Sequence, residues 1–160
     1  MDYRLYMPED FGALYAIEEL CFQTPLRFSR GYMRELTHQS NAATWVAEKG
    51  TRMCGFAIVE WTREETGQVA YIQTLEVLPE DRGQGVGGEL MRRMEGLARA
   101  AGAEAIWLHV DAENAAAIHV YERHGYQLRG QRPGYYGRGT AALIYEKALS
   151  KGISEIDAAG

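Results

Sequence analysis

The sequence predicts an α+β fold, a mixed central β-sheet flanked by helices, from three observations. Strand-like runs joined by short polar turns fill much of the first half, a strand, glycine-rich turn, helix and strand follow, and a further helix with two strands closes the chain. Hairpin-joined strands pair antiparallel, whereas strands joined by a helical crossover pair in parallel, so one sheet holding both is mixed. The expected total is about seven strands and about four helices.

Arg4 to Met7 reads as a short edge strand, and Pro8-Glu9-Asp10 opens an amphipathic helix with Phe11, Leu14, Ile17 and Cys21 at helical spacing. Ser29 is placed to cap a second, short helix carrying Tyr32, Met33 and Leu36. Two strand-like runs come next, TWVAEK and MCGFAIVEW, separated by Gly50-Thr51-Arg52 as a hairpin turn. The polar stretch TREETG leads into a third, AYIQTLEV, so the three suggest an antiparallel meander. A glycine turn then enters a helix from about Gly87 to Ala101, Gly102 stops it, and AIWLHV follows as a strand parallel to AYIQTLEV. Asn114 is placed to cap a helix through His124, Gly125 ends it, and YQLRGQR and TAALIYEKAL are the last two strands. Residues 1–149 are thus expected to form one domain and SKGISEIDAAG, residues 150–160, a frayed tail.

Composition narrows the class. A chain of 160 residues with 46% apolar and 24% charged residues can bury a sizeable core without disulfides or a structural metal. No apolar run is long enough for a membrane span, and MDYRLYMPEDF lacks the pattern of a secretory signal. Cys21 and Cys54 stand alone, without CxxC spacing, and are expected to be reduced, buried and inert in a cytoplasmic protein. Seventeen basic residues against twenty-two acidic ones argue against a nucleic-acid partner. His119 and His124 are five apart, off the i, i+4 spacing of a helical metal pair, so no metal is expected.

The turn EDRGQGVGG, Glu80 to Gly88, carries the chemistry. Backbone N–H groups at a helix start have no intrahelical acceptor and sit at the positive end of the helix dipole, so a glycine-rich entry lets a phosphate approach several donors. Gly83, Gly85 and Gly88 satisfy GxGxxG, with Asp111 at the end of the next strand, which would suit a dinucleotide-binding Rossmann unit. Against this stand the four residues Pro79 to Arg82 between strand and first glycine, the preceding meander, and the short remainder of the chain.

Read instead as Arg82-x-x-Gly85-x-Gly87, the turn resembles the pyrophosphate loop of the GCN5-related N-acetyltransferase superfamily. Asn114-x-x-Ala117-x-x-x-Tyr121, followed by Gly125-Tyr126, is similar to that superfamily's second acetyl-CoA motif, and the order of elements agrees over most of the chain. The resemblance implies acetyl-CoA as cofactor, its pyrophosphate on the amides of Arg82, Gly83, Gln84, Gly85, Val86, Gly87 and Gly88. Its pantetheine arm would lie where AYIQTLEV and AIWLHV splay apart, against the backbone at Leu75 and Val77, with Asn114, Ala117 and Tyr121 beside it.

The resemblance also implies roles. Tyr121 would be the acid that protonates the departing thiolate. The stretch WLHVDAENAAAIHVY is similar to N-terminal amine acetyltransferases, in one branch of which the position of His109 carries histidine and works through ordered water with a tyrosine at the position of Tyr71. An α-amine with a pKa of about 8 needs only a modest acceptor such as imidazole. Glu76, an acid inside an apolar strand, is the second base candidate, unless it faces solvent as an edge charge. Tyr135 and Tyr136 match a tyrosine pair that lines the peptide entrance, and Phe22 is expected on the opposite wall.

The expected activity is therefore direct acetyl transfer in a ternary complex, most readily to a protein or peptide N-terminal amine. A small-molecule amine, such as a polyamine, aminoglycoside or amino acid, is the alternative acceptor. A silent acyl-CoA-binding sensor is the alternative of another class. The expected partners are acetyl-CoA and the amine, without nucleic acid or membrane, in a monomer or homodimer.

Overall fold

The computed structural model describes residues 1–22, 26–135 and 140–149. Seven strands form one mixed sheet in the order β1-β2-β3-β4-β5-β7-β6: β1 Asp2–Leu5, β2 Ala42–Lys49, β3 Arg52–Glu64, β4 Gly67–Val77, β5 Ala105–Asp111, β6 Gln127–Arg132 and β7 Ala142–Ala148. Four α-helices accompany them among the described residues, α1 Phe11–Cys21, α2 Arg30–His38, α3 Val86–Ala100 and α4 Ala115–Arg123. This is the predicted α+β architecture. β4 and β5 pair in parallel across the α3 crossover, and β7 inserts between β5 and β6, antiparallel to both. A dinucleotide-binding Rossmann sheet is parallel throughout its nucleotide-binding halves, so the order found here rules that reading out.

Several boundaries differ from expectation, each for a reason in the pairing. The first strand starts at Asp2 rather than Arg4, because Asp2 to Leu5 pairs with Glu48 to Trp45. Pro8 to Asp10 forms a separate 3₁₀ turn ahead of α1. Most of the TREETG stretch belongs to strands, since β3 runs on to Glu64 and β4 begins at Gly67, leaving a two-residue turn. Helix α3 begins at Val86, one residue early, with Glu89 N–H donating to the Gly85 carbonyl at 3.1 Å.

The chain divides into two compact units. The first comprises residues 1–60 and 73–97. Its core packs Phe11, Leu14, Tyr15 and Ile17 of α1 and Met33 and Leu36 of α2 with Val46, Phe56 and Ile58 of the strands. Ser29 Oγ accepts the Tyr32 N–H at 3.1 Å, the predicted cap of α2. Arg4 forks between Asp10, at 2.7 and 2.8 Å, and Glu48, at 2.9 Å, which ties β1 to the entry of α1 and to β2. Charge-assisted, two-pronged bonds of this kind supply direction as well as energy. The guanidinium holds the Asp10 carboxyl below the usual carboxylate range.

The second unit comprises residues 61–72 and the described residues from 98 onward. Along β5, Ile106, Leu108 and Val110 are buried while Trp107, His109 and Asp111 are half-buried, the alternation of a pleated strand. His109 therefore shares a face with Trp107. Tyr121, Tyr126 and Tyr145 are buried aromatic residues of this unit.

Gly55 of β3 lies against the backbone of β4. A Cβ there would stand 2.7 Å from the Glu76 carbonyl oxygen, which cannot swing away as a side chain can. Gly12 on α1 has nothing within 4 Å of such a carbon. Gly55→Ala should therefore lower unfolding stability by about 1–3 kcal/mol as overpacking. Gly12→Ala should leave it unchanged or raise it by up to about 1 kcal/mol. Urea titrations at unchanged m-value would show the two midpoints moving apart, and equal midpoints would refute the account.

Candidate active site

The glycine turn is built in the first unit. Pro79 to Asp81 forms a 3₁₀ turn whose buried Asp81 accepts two bonds from Arg52, at 2.9 and 3.1 Å, so the guanidinium holds that carboxyl low. Gly83 and Gly85 lie at φ +78° and +84°, with nothing within 4 Å of where their Cβ atoms would be. Dihedral demand, not lack of room, thus requires glycine there. The amides of Val86, Gly87 and Gly88 precede Glu89, whose N–H makes the bond to Gly85, so they are the donors that a helix start offers to an anion. A phosphate-bearing cofactor fits this entry. Arg82 points back, its Nε donating to the Val77 carbonyl at 2.9 Å and its Nη2 lying 3.7 Å from Cys21 Sγ, which fixes the turn to the end of β4.

Glu76 does not stand at a solvent edge. It is 3% exposed, and its Oε2 accepts the Thr74 hydroxyl at 2.6 Å. Burial, and then the neighbouring Glu18 carboxyl, push its pKa well above the usual carboxylate range. Cys21 is half-buried rather than buried, and burial raises both thiols, Cys21 and Cys54, above their ordinary value. Phe22 follows α1 and is half-buried, with its carbonyl accepting from Arg27 Nε at 3.1 Å. Leu75 and Val77 are likewise half-buried on β4.

The second unit holds the remaining candidates. Val69 to Tyr71 pairs in parallel with Ala105 to Trp107, with Tyr71 directly across from Trp107. One step along the same face of β5, His109 Nδ1 lies 3.0 Å from Tyr71 Oη. The strand register brings these two side chains within direct hydrogen-bonding reach. His109 Nε2 is buried, without a hydrogen-bond partner among the described residues. Burial lowers the pKa of the imidazole, and the charge of Arg132 lowers it further, so both favour the neutral ring. Trp107 packs on Tyr71 at 4.3 Å between ring centroids and on His109 at 5.3 Å. The exposed Tyr135 stacks face to face on the imidazole, at 4.9 Å and 7°. Tyr136 lies outside the described residues.

Asn114 Oδ1 accepts the Ala117 N–H at 3.2 Å, the predicted cap of α4, which the helix follows only to Arg123. Tyr121 is buried on this helix and packs against Tyr126 at 6.0 Å. Ala117 is half-buried. His119 is exposed, and His124 Nδ1 is 2.9 Å from the Val120 carbonyl, so neither faces the other as a ligand pair. Among the described residues no group of three or more His, Cys, Asp or Glu is arranged to hold a metal ion.

Sequence reasoning overlooked three participants. Trp107 carries a signal, since it stands two residues before His109 and must share its face. Glu18 carries one too, an acid between Leu14 and Cys21 at i+4 and i−3 on the apolar stripe of α1. Arg132 has none, because its nearness to His109 depends on β7 lying between β5 and β6.

A family model described as Acetyltransferase (GNAT) family matches residues 11–126. The chain is 40% identical over 90 residues to streptothricin acetyltransferase of Streptomyces lavendulae, a match covering 56% of this chain and 46% of that protein. It therefore spans about half the length of that relative. It is also 31% identical over 137 residues to the putative ribosomal protein bS18-alanine N-acetyltransferase of Bacillus subtilis, over 85% of this chain and 87% of that one. The crystal structure of Arabidopsis thaliana NAA60 in complex with a bisubstrate analogue matches in fold with a TM-score of 0.83, over 94% of this chain and 98% of that one, at 19% identity. With both predicted motifs in place on the expected elements, this chain belongs to the GNAT family of acetyltransferases.

Proposed function

We propose that the protein is an acetyl-CoA-dependent N-acetyltransferase whose acceptor is the N-terminal α-amine of a protein or peptide, with residues 1–149 acting as one transferase domain. The direct bond between Tyr71 and His109 carries this reading, since it builds a base suited to an amine that is already partly neutral at physiological pH. A cytoplasmic setting is in keeping with the free thiols Cys21 and Cys54.

The amides at the start of α3 hold the pyrophosphate, and the backbone near Leu75 and Val77 holds the pantetheine arm. When bound, acetyl-CoA supplies an activated acyl carbon and a sulfur leaving group. His109 donates Nδ1–H to Tyr71 Oη, which leaves the Nε2 lone pair to take the proton of the incoming ammonium. Trp107 keeps both rings in register, and Tyr121 Oη holds the proton that balances the departing sulfur. Phe22, Tyr135 and Tyr136 bind the first residues of the acceptor. The likeness to streptothricin acetyltransferase favours a second reading, a small-molecule amine at the same base.

His109→Ala and Tyr121→Phe should each lower kcat/KM by about 10²–10⁴-fold while acetyl-CoA still raises the melting temperature. Wild-type protein that binds acetyl-CoA but turns over no amine would instead make it a sensor. The pH profile has a stated sign. A lowered imidazole pKa places the acid limb of kcat/KM below the ordinary histidine value, and Arg132→Gln, which removes a neighbouring positive charge, should move that limb upward. An unmoved limb would exclude His109 as the base.

Thiol release measured against peptides differing in their first residues, and in parallel against polyamines, aminoglycosides and amino acids, decides the acceptor. Peptide turnover is expected. Turnover of small amines alone would establish the second reading.

A further inference from the structure

Glu18 and Glu76 meet inside the first unit. Glu18, on α1, is 1% exposed and Glu76, on β4, is 3% exposed. One oxygen of each is satisfied: Glu18 Oε2 accepts the Phe28 N–H at 2.8 Å, and Glu76 Oε2 accepts the Thr74 hydroxyl at 2.6 Å. The other oxygen of each, Oε1 in both cases, is buried with no other partner among the described residues, while the two carboxyls are within hydrogen-bonding reach of one another. Two acceptors cannot satisfy each other, whereas an acid and a carboxylate can.

We propose that Glu18 and Glu76 share a single proton as a positioning pair, which fastens α1 to β4 and makes Glu76 a latch rather than the base. The shared proton leaves one negative charge where two would meet like-charge repulsion without water to screen it. The groups that act on Glu76 are Glu18 and Cys21 from α1, Arg82 from the glycine turn and Thr74 from its own strand, and burial dominates them all. Arg82, the one cation of this set, is bonded to the Val77 carbonyl and leaves the extra proton in place. Through the Phe28 N–H, Glu18 also holds the approach to α2. The pair rests on its own geometry, and its titration is read without reference to the acceptor.

Carbon-13 NMR of side-chain-labelled glutamate in the full chain tests it. In wild type, Glu76 is expected to stay protonated through neutral pH and titrate only in the alkaline range. Glu18→Gln, whose amide can donate to an ionised Glu76, should move that titration down by at least one pH unit, about a tenfold change in acidity constant. Glu76 titrating with ordinary glutamates, or indifferent to Glu18→Gln, would overturn the proposal.

Two further readouts stand apart from that signal. A group whose pKa is raised on folding stabilises the native state below its unfolded pKa and withdraws that stability as pH rises through the folded pKa. The wild-type melting temperature should therefore fall between about pH 6 and about pH 9, and Glu76→Gln should flatten that fall. An equal slope in both would refute the shared proton. Kinetically, Glu18→Ala should raise the acceptor KM about tenfold or more with kcat within about twofold, and Glu18→Gln should restore it. A loss confined to kcat would refute the positioning role.

Discussion

Three residue pairs of parallel sheet, Val69 to Tyr71 against Ala105 to Trp107, set where Tyr71, Trp107 and His109 meet. Parallel strands need a long crossover, and α3 supplies it, entered through a glycine turn that leaves helix-start amides without an intrahelical acceptor. One connection therefore does two things: it fixes Tyr71 beside Trp107, with His109 one step along, and it forms the glycine turn ahead of α3. A slip of one residue would send Tyr71 to the other face of the strand and dissolve the pair with His109.

The second constraint is how buried charge is managed. Asp10 and Asp81 each face an arginine and stay ionised. Glu76 has a carboxyl where those have a guanidinium, and a retained proton takes the place of the counter-ion. His109 follows the opposite course: burial and Arg132 both disfavour its charged form, which keeps an acceptor available on the ring. Acids and base in one small protein thus differ in state because their neighbours differ.

The comparisons bear on these features unevenly. Membership of the family is supported by most of the chain, including the glycine turn and the α4 motif. The relatives nevertheless act on unlike acceptors, a streptothricin and a ribosomal-protein alanine by name. A shared fold does not by itself fix the acceptor, and the exposed Tyr135 stacks on the His109 ring.

Much of the fold was legible because local chemistry demands it. Gly83 and Gly85 at positive φ, Ser29 and Asn114 as caps, and the alternation of AIWLHV all depend on dihedrals or near neighbours that sequence spacing encodes. The motif resemblance likewise pointed to Tyr71 and His109 as partners. What only the tertiary structure decided is where distant segments meet: β7 between β5 and β6, the direct contact of Tyr71 with His109, Trp107 packed on both, and Glu18 against Glu76. Glutamate in an apolar stripe is visible in one dimension, but its protonation depends on which group faces it and on how much water is excluded, and both follow from packing across the chain.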